Sequence, residues 1–322
     1  MLGRTEKRRI AMIEITNVSM DFEKNKGDKE NFTALDDISL TIPEGCIYGF
    51  LGSNGAGKST LMRMMCGVYR TDKGSIKIDG EEVYDNPAAK GKIFFVNDET
   101  IQYASYTLKD LKKYYAAYYD EFSEEVFDRL TKKLGLPENK RMSQFSKGMK
   151  RQAVVIAALA CRTKYLMLDE AFDGLDPAMR KIIKTMIVDE LIDRDATLIV
   201  SSHNITEINE LCDRAMLIHQ GHLIFADEID DIRSGFCKIQ LAYADRIPDE
   251  QELRDLGIEV MELSTLGSVA QIIAKGEQEE IMRKLKAQKP VILELVPLTL
   301  EEIFIYELEV RGYGTDILKE DK

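Results

Sequence analysis

The sequence lacks a long apolar run. Its longest, Ala153 to Cys161, falls far short of the roughly 20 residues that a bilayer-spanning helix requires. No apolar stretch follows the basic residues near the N-terminus, so no secretory signal is expected. Paired cysteine spacings are missing as well. Cys46, Cys66, Cys161, Cys212 and Cys237 are scattered, which argues against a disulfide framework or a cysteine zinc site. They suit buried thiols in a reducing compartment, and the cytoplasm is the expected location. Positive charge is also in deficit. Lys and Arg number 44 against 56 Asp and Glu, a formal net charge of -12, so the surface as a whole should repel nucleic acid. The exception is the cluster Arg4, Lys7, Arg8 and Arg9, read either as a solvated tail or as a contact for an anionic membrane surface. Internal repeats and low-complexity linkers are absent.

What is present is the composition of a folded protein. The chain is 44% hydrophobic and 31% charged, and its 322 residues suit one large domain or two modest ones. From Ile13 to Ile232, strand-like runs alternate with helical stretches, an α/β pattern. Strands are expected at Cys46–Leu51, Lys92–Val96, Tyr165–Leu168, Thr197–Ser201 and Ala215–His219. The runs Leu166–Leu168 and Leu198–Val200 are apolar without alternation, as in parallel strands covered on both faces. Gln220-Gly221 reads as a hairpin turn, which would leave His219 and His222 as exposed hairpin residues. Between Thr107 and Thr163 the spacing becomes helical, with a Tyr-rich helix, a second around Val126, Leu130 and Leu134, and a third over Phe145–Cys161. This reads as a helical insertion, with the tyrosines as core more than as a stacking platform. After Ile232 a small α+β unit is expected, with strands at Lys238–Tyr243, Glu259–Leu263, Val269–Lys275 and Val291–Val296. Its helices are expected at Gln251–Leu256, Gln278–Ala287 and Leu300–Val310.

The chemistry concentrates in a few places. Gly52, Ser53, Asn54, Gly55, Ala56, Gly57, Lys58 and Ser59 fit G-x-x-x-x-G-K-[ST]. The strand Ile47–Leu51 precedes this loop, and a helix carrying Leu61, Met64, Met65 and Val68 on one face follows it. Glycines let backbone N–H groups surround phosphate oxygens, and the helix N-terminus adds its positive end. Lys58 should reach the β- and γ-phosphates, and the Ser59 hydroxyl should ligate Mg²⁺. The apolar run Leu166–Leu168 ends in Asp169 and Glu170, and Thr197–Ser201 runs into His203. Strand C-termini face the ligand in such sheets. Asp169 is therefore placed to hold Mg²⁺, Glu170 to polarise an attacking water as general base, and His203 to sit near the γ-phosphate. Phe145 to Gln152 opens the third helix, where Ser146 suits an N-cap and Gly148 allows close approach of a phosphate.

Together these motifs resemble the nucleotide-binding subunits of ABC transporters over about Ile13 to Ile232. Gly52–Thr60 matches the Walker A motif, Phe145–Met149 the signature, Leu166–Glu170 Walker B, Asp173–Asp176 the D-loop and His203 the switch histidine. Phe22 lies where the family has its adenine-stacking aromatic, with Phe32 as the other candidate. The resemblance implies a P-loop NTPase fold with a RecA-like core, an antiparallel β-subdomain and a helical subdomain at about 98–163, followed by an accessory α+β domain at 233–322. It implies two ATPs held between the Walker A of one subunit and Ser146, Gly148 and Asp176 of a second subunit, identical or related. It also implies a separate polytopic permease docked at about Asp98 to Tyr119, no nucleic acid, and a place on the inner face of a bacterial plasma membrane. Exporter ATPases of the bacitracin and multidrug type are the most similar kind. Three motifs depart from the pattern, at four positions. Lys147 and Met149 replace signature residues, Asp98 stands at the Q-loop position, where it would still ligate Mg²⁺, and Asp173 replaces a small polar residue. Other readings are a weakly hydrolysing regulatory half of a heterodimer and a soluble ABC ATPase unconnected with transport.

Overall fold

A computed structural model describes residues 13–22, 32–97, 103–311 and 313. The N-terminal basic cluster and Asp98 lie outside the described residues. The chain divides into two compact units between Ala226 and Asp227, slightly before the Ile232 boundary that the strand–helix pattern suggests. The divide falls there because the short helix after Glu228 packs with the C-terminal helix.

In the first unit an antiparallel sheet has the order β2-β1-β4-β5, built from β1 (Ile13–Phe22), β2 (Phe32–Ile42), β4 (Lys73–Ile78) and β5 (Glu81–Glu82). Ile13, Ile15, Val18 and Met20 of β1 point inward. The inward set changes from odd to even positions across Asn17, which has φ 47° and sits at a register shift, the signature of a bulge. A second sheet runs β10-β9-β3-β8-β7-β6. Its strands are β3 (Ile47–Leu51), β6 (Ile93–Val96), β7 (Tyr165–Asp169), β8 (Thr197–Ser202), β9 (Arg214–His219) and β10 (His222–Glu228). The pairs β6–β7, β7–β8, β8–β3 and β3–β9 are parallel. β7 and β8 are buried at every position, as continuous apolar strands between two layers must be. One apolar cluster joins the two sheets, through Ile13, Ile38, Tyr48, Phe50, Met167 and Met216 with Leu61 and Met62 of α1 (Lys58–Met65).

Gln220 and Gly221 both take positive φ, 47° and 79°, as a two-residue hairpin turn requires. His222 is half exposed as expected, but His219 is not: only 4% of its surface is accessible. It ends β9, a strand packed inside the sheet, so the hairpin exposes only the residue after the turn.

After α2 (Pro87–Lys90) and β6 the helices α3 (Leu108–Tyr118), α4 (Glu124–Leu134) and α5 (Lys147–Ala160) form the insertion. Thr107 and Asp110 close a capping box on α3. Ser123 caps the start of α4, and Gly135 ends it in the left-handed conformation. α5 is buried on every side from Arg151 to Ala160, because α3, α4 and the sheet surround it. The tyrosine stripe divides: Tyr115 is core, whereas Tyr118 is 71% exposed. Tyr103, Tyr106, Tyr114 and Tyr118 continue from Tyr115 as a chain of ring contacts 4.9–6.0 Å apart. α6 (Pro177–Ile192) and α7 (Ile205–Leu211) flank β8 in sequence.

The second unit is an antiparallel sheet ordered β12-β13-β11-β14, with β11 (Phe236–Ala242), β12 (Glu259–Leu266), β13 (Val269–Lys275) and β14 (Ile292–Val296). Ile239, Leu241, Ile272 and Ala274 pack on Leu253 of α9 (Glu250–Asp255) and on Ile281 and Leu285 of α10 (Gln278–Ala287). On the opposite face α8 (Ile229–Ser234) packs with α11 (Leu300–Val310), whose Glu302 accepts from Lys238 of β11 at 2.6 Å and whose Tyr306 donates to Glu262 of β12. The expected strands and helices of this unit are all present, shifted by at most a few residues at their ends.

Candidate functional site

Register brings the predicted chemistry to one sheet edge. Leu51 pairs with Ser202 and Asp169 with Ser201, so Gly52, Glu170 and His203 all emerge from strand C-termini that lie side by side. The loop 52–57 cannot carry side chains at its inner turns. A Cβ on Gly52 (φ 157°) would lie 2.3 Å from the Ile218 carbonyl oxygen, and one on Gly57 (φ 112°) 2.7 Å from that of Ala34. Gly57 is the N-cap of α1, in a left-handed conformation that glycine adopts without cost. Ala56 is buried; its N–H donates to Ser53 O at 3.1 Å and its carbonyl accepts from Gly221 N at 3.0 Å. Asn54 and Gly55 stand exposed at the loop tip, and Thr60 is partly exposed in the first turn of α1.

Lys58 is only 3% exposed, and its Nζ donates to the carbonyls of Gly52 at 2.7 Å and Ser53 at 3.1 Å. It lies 3.8 Å from Glu170 Oε1. Burial pulls the ammonium below its ordinary range, opposed by the charges of Glu170, Asp169 and Asp173. The Ser59 hydroxyl donates to Asp169 Oδ1 at 3.0 Å, so α1 and β7 present an oxygen pair at the foot of the loop. Hard oxygen donors on a buried carboxylate suit Mg²⁺, which takes one or two protein oxygens and keeps waters and phosphates for the rest. The pair therefore fits that ion, and the bare backbone cradle beside buried Lys58 fits a polyphosphate.

Glu170 takes φ 47°, a strained value for a residue with a side chain. Burial lifts its carboxyl above the ordinary range; Lys58 opposes this, Asp173 adds to it and His203 opposes it again. His203 Nδ1 lies 3.9 Å from Glu170 Oε1. A carboxylate with raised proton affinity beside a lysine and an imidazole can take a proton from water.

Sequence patterns passed over two supports of this arrangement. Ser201, fully buried at the end of β8, donates to Asp169 Oδ1 at 2.6 Å and accepts from the Glu170 N–H at 3.0 Å. Ser202 donates to Glu207 Oε2 at 2.8 Å, and Glu207 Oε1 pairs with Arg180 of α6 at 2.7 Å, which ties the His203 loop to the helix after Asp176. Their only sequence signal is a polar residue where an apolar strand ends.

Other predicted residues lie elsewhere on the unit. Ser146 caps α5, accepting from Met149 N at 3.2 Å, and a Cβ on Gly148 would touch Gly174 O and Leu175, each at 3.5 Å. The Lys147 side chain lies along Gly174, its Cδ 3.4 Å from that residue's Cβ position. Asp176 is exposed and caps α6 by accepting from Met179 N at 3.0 Å. Ser146, Gly148 and Asp176 thus gather around the 173–176 turn. Phe22 and Phe32 turn out to be register partners across β1 and β2. Phe22 meets Tyr69 edge-on at 5.8 Å, while Phe32 is 51% exposed. Arg151 of α5 donates to the carbonyl of Asn97 at 2.6 Å, holding the end of β6 just before Asp98.

The ABC transporter family model matches residues 35–173. The bacitracin transport ATP-binding protein BcrA of Bacillus licheniformis is 31% identical, the alignment covering 66% of this chain and 70% of that protein. The chain belongs to the ABC transporter ATP-binding proteins. The ABC transporter ATP-binding protein YtrB of Bacillus subtilis is 29% identical over 294 residues, 91% of this chain and 97% of that one, so the likeness extends into the second unit. A solved dimeric ATP-binding cassette, captured after hydrolysis with ADP and phosphate, superposes with a TM-score of 0.60. It shares 19% identity over 68% of this chain and 99% of that one, a likeness of fold. The chain is thus the ATP-binding subunit of an ABC transporter, an ATPase with the P-loop NTPase fold. No helix among the described residues is long and apolar enough to cross a membrane.

Proposed function

We propose that this subunit hydrolyses Mg²⁺–ATP to drive a separate polytopic permease, as one of two nucleotide-binding domains that close over ATP. The observation that carries the reading is the hydrogen-bonded line from Ser59 through Asp169 to Ser201 and the Glu170 backbone, beside buried Lys58. Gly52–Thr60 hold the phosphates, Lys58 neutralises them, and Phe22 stacks on the adenine. Ser59 and Asp169 would hold Mg²⁺, and Asp98 is assigned as a further ligand from the sequence alone. The ion, when bound, offsets the charge of the phosphate oxygens. Glu170 takes the proton of the attacking water, and His203 orients the terminal phosphate. Ser146, Gly148 and Asp176, grouped on one corner, serve the ATP of the second subunit. A fold neighbour solved as a dimer with ADP and phosphate is in keeping with a paired arrangement.

The outer end of the tyrosine cluster on α3, exposed Tyr118 with part-exposed Tyr114, is the permease contact, since aromatic residues are enriched at interfaces. The resemblance of the sequence motifs to exporter-type ATPases is the ground for assigning export, and a bacitracin transport protein is among the relatives. The chain then works from the cytoplasmic face of the membrane, and residues 233–322 form an accessory domain. The test is affinity purification of the tagged full-length chain from detergent-solubilised native membranes. A polytopic protein that copurifies and changes the ATPase rate supports the reading. Recovery of ribosomes or DNA instead overturns it.

A further inference from the structure

Asp173 changes what the site can hold. Asp173 N donates to Glu170 O at 3.2 Å, so the turn after β7 doubles back. That turn brings the Asp173 carboxylate to the Glu170 carboxylate and the His203 imidazole. One ligand atom from each of the three lies within 4.8 Å of the others, and all three side chains are part-buried. Two atoms each bound about 2.1 Å from a single ion are at most about 4.2 Å apart, so adjustments below an ångström gather the set. This set differs in chemistry from the Ser59–Asp169 pair. It offers two carboxylates and an imidazole, and imidazole suits Zn²⁺ and neighbouring transition ions far better than Mg²⁺. Two carboxylates beside a half-buried histidine place negative charge that a dication would relieve, although the Lys58 ammonium, 3.8 Å from Glu170 Oε1, already offsets part of it.

We propose that Glu170, Asp173 and His203 form a second divalent-cation site, selective for Zn²⁺-like transition ions. Binding there engages the Glu170 carboxylate and blocks ATP turnover. The site rests on side-chain geometry alone; its effect on turnover rests on the ATPase reading above.

The experiment titrates Co²⁺ into the full-length, nucleotide-free protein, following visible absorption, with Zn²⁺ as displacing ion. One equivalent of Co²⁺ should bind with nitrogen–oxygen-type bands. Asp173→Asn and His203→Ala should each weaken binding at least tenfold while melting as cooperatively as the parent. Ser59→Ala, at the other pair, should bind Co²⁺ as the parent does. The proposal is overturned if the parent binds no Co²⁺ or if thiolate charge-transfer bands appear. It is equally overturned if Ser59→Ala loses the ion while Asp173→Asn keeps it. ATPase activity in Mg²⁺ alone is measured on the same preparation. A parent that binds Co²⁺ through these residues but does not hydrolyse ATP leaves the site standing and removes the ATPase reading.

Discussion

Ser201 touches neither nucleotide nor water in the proposed mechanism, yet replacing it with Ala should damage both stability and turnover. Its hydroxyl is buried completely and bridges two groups, donating to Asp169 Oδ1 at 2.6 Å and accepting from Glu170 N at 3.0 Å. Asp169 retains Ser59 as a donor after the change, so the larger loss falls on the Glu170 N–H, left without its acceptor. A buried polar group deprived of its partner costs about 1–3 kcal/mol, and a charge-assisted bond to a carboxylate is worth about 1.5–3 kcal/mol. Partial compensation at Asp169 brings the total to about 2–4 kcal/mol. At about 2–4 °C per kcal/mol for a domain of this size, the melting temperature should fall by about 4–16 °C. Supporting residues behind metal ligands typically change metal affinity by about 10–100-fold, so half-maximal ATPase activity should need that much more Mg²⁺. The assay is a thermal melt with a Mg²⁺ titration of ATPase activity, using Ser201→Thr as the hydroxyl-retaining control. An unchanged melting point with an unchanged Mg²⁺ requirement would refute the argument.

Gly57→Ala should be far worse than Gly55→Ala, because both have positive φ but only the first would drive a Cβ to 2.7 Å from a backbone oxygen. Gly55→Ala should cost about 1–2 kcal/mol from backbone strain alone, and equal melting points for the two variants would contradict the loop geometry. Glu207→Gln should lower kcat several-fold with little change in KM for ATP, since it loosens the Ser202–Glu207–Arg180 tie behind His203; a change confined to KM would count against it. Glu170→Gln should raise the melting temperature of the nucleotide-free protein near pH 7. The Glu170 carboxyl is raised in the folded state, so the folded form binds more protons than the unfolded one above pH 4.5, and ionisation there costs stability. The gain should vanish as pH falls below about 4.5, where both states are protonated. A gain that grows at lower pH would show the sign to be wrong.

The phosphate loop was legible because its sequence is spaced by backbone demands that few other structures make. The strands were legible where they are apolar throughout, as in β7 and β8. Register was not legible, and register is what makes Ser201 a bridge: a serine at the end of an apolar run gives no sign of which neighbouring strand it faces. His219 was misread because the turn was given more weight than the expected strand that ends on it; β9 carries the side chain inward up to its last residue. Asp173 stood out as a departure, but its meeting with Glu170 and His203 depends on a turn and on a second strand 30 residues downstream. Phe22 was the expected adenine contact and Phe32 the less favoured one; that the two face each other as cross-strand partners was not legible. The apolar run Ala153–Cys161 matches the buried stretch of α5, whereas the hold of Arg151 on the Asn97 carbonyl depends on tertiary packing that a sequence does not display.

The central claim is that Glu170 is the base of an ATP-hydrolysing site built on Gly52–Ser59 and Asp169. Its most direct test is the single-turnover rate of Glu170→Gln in full-length protein, measured with ATP affinity. The account predicts ATP binding close to that of the parent, hydrolysis reduced by at least about 100-fold, in keeping with the general contribution of a positioned base, and accumulation of an ATP-bound dimer. Hydrolysis at the parent rate would contradict it.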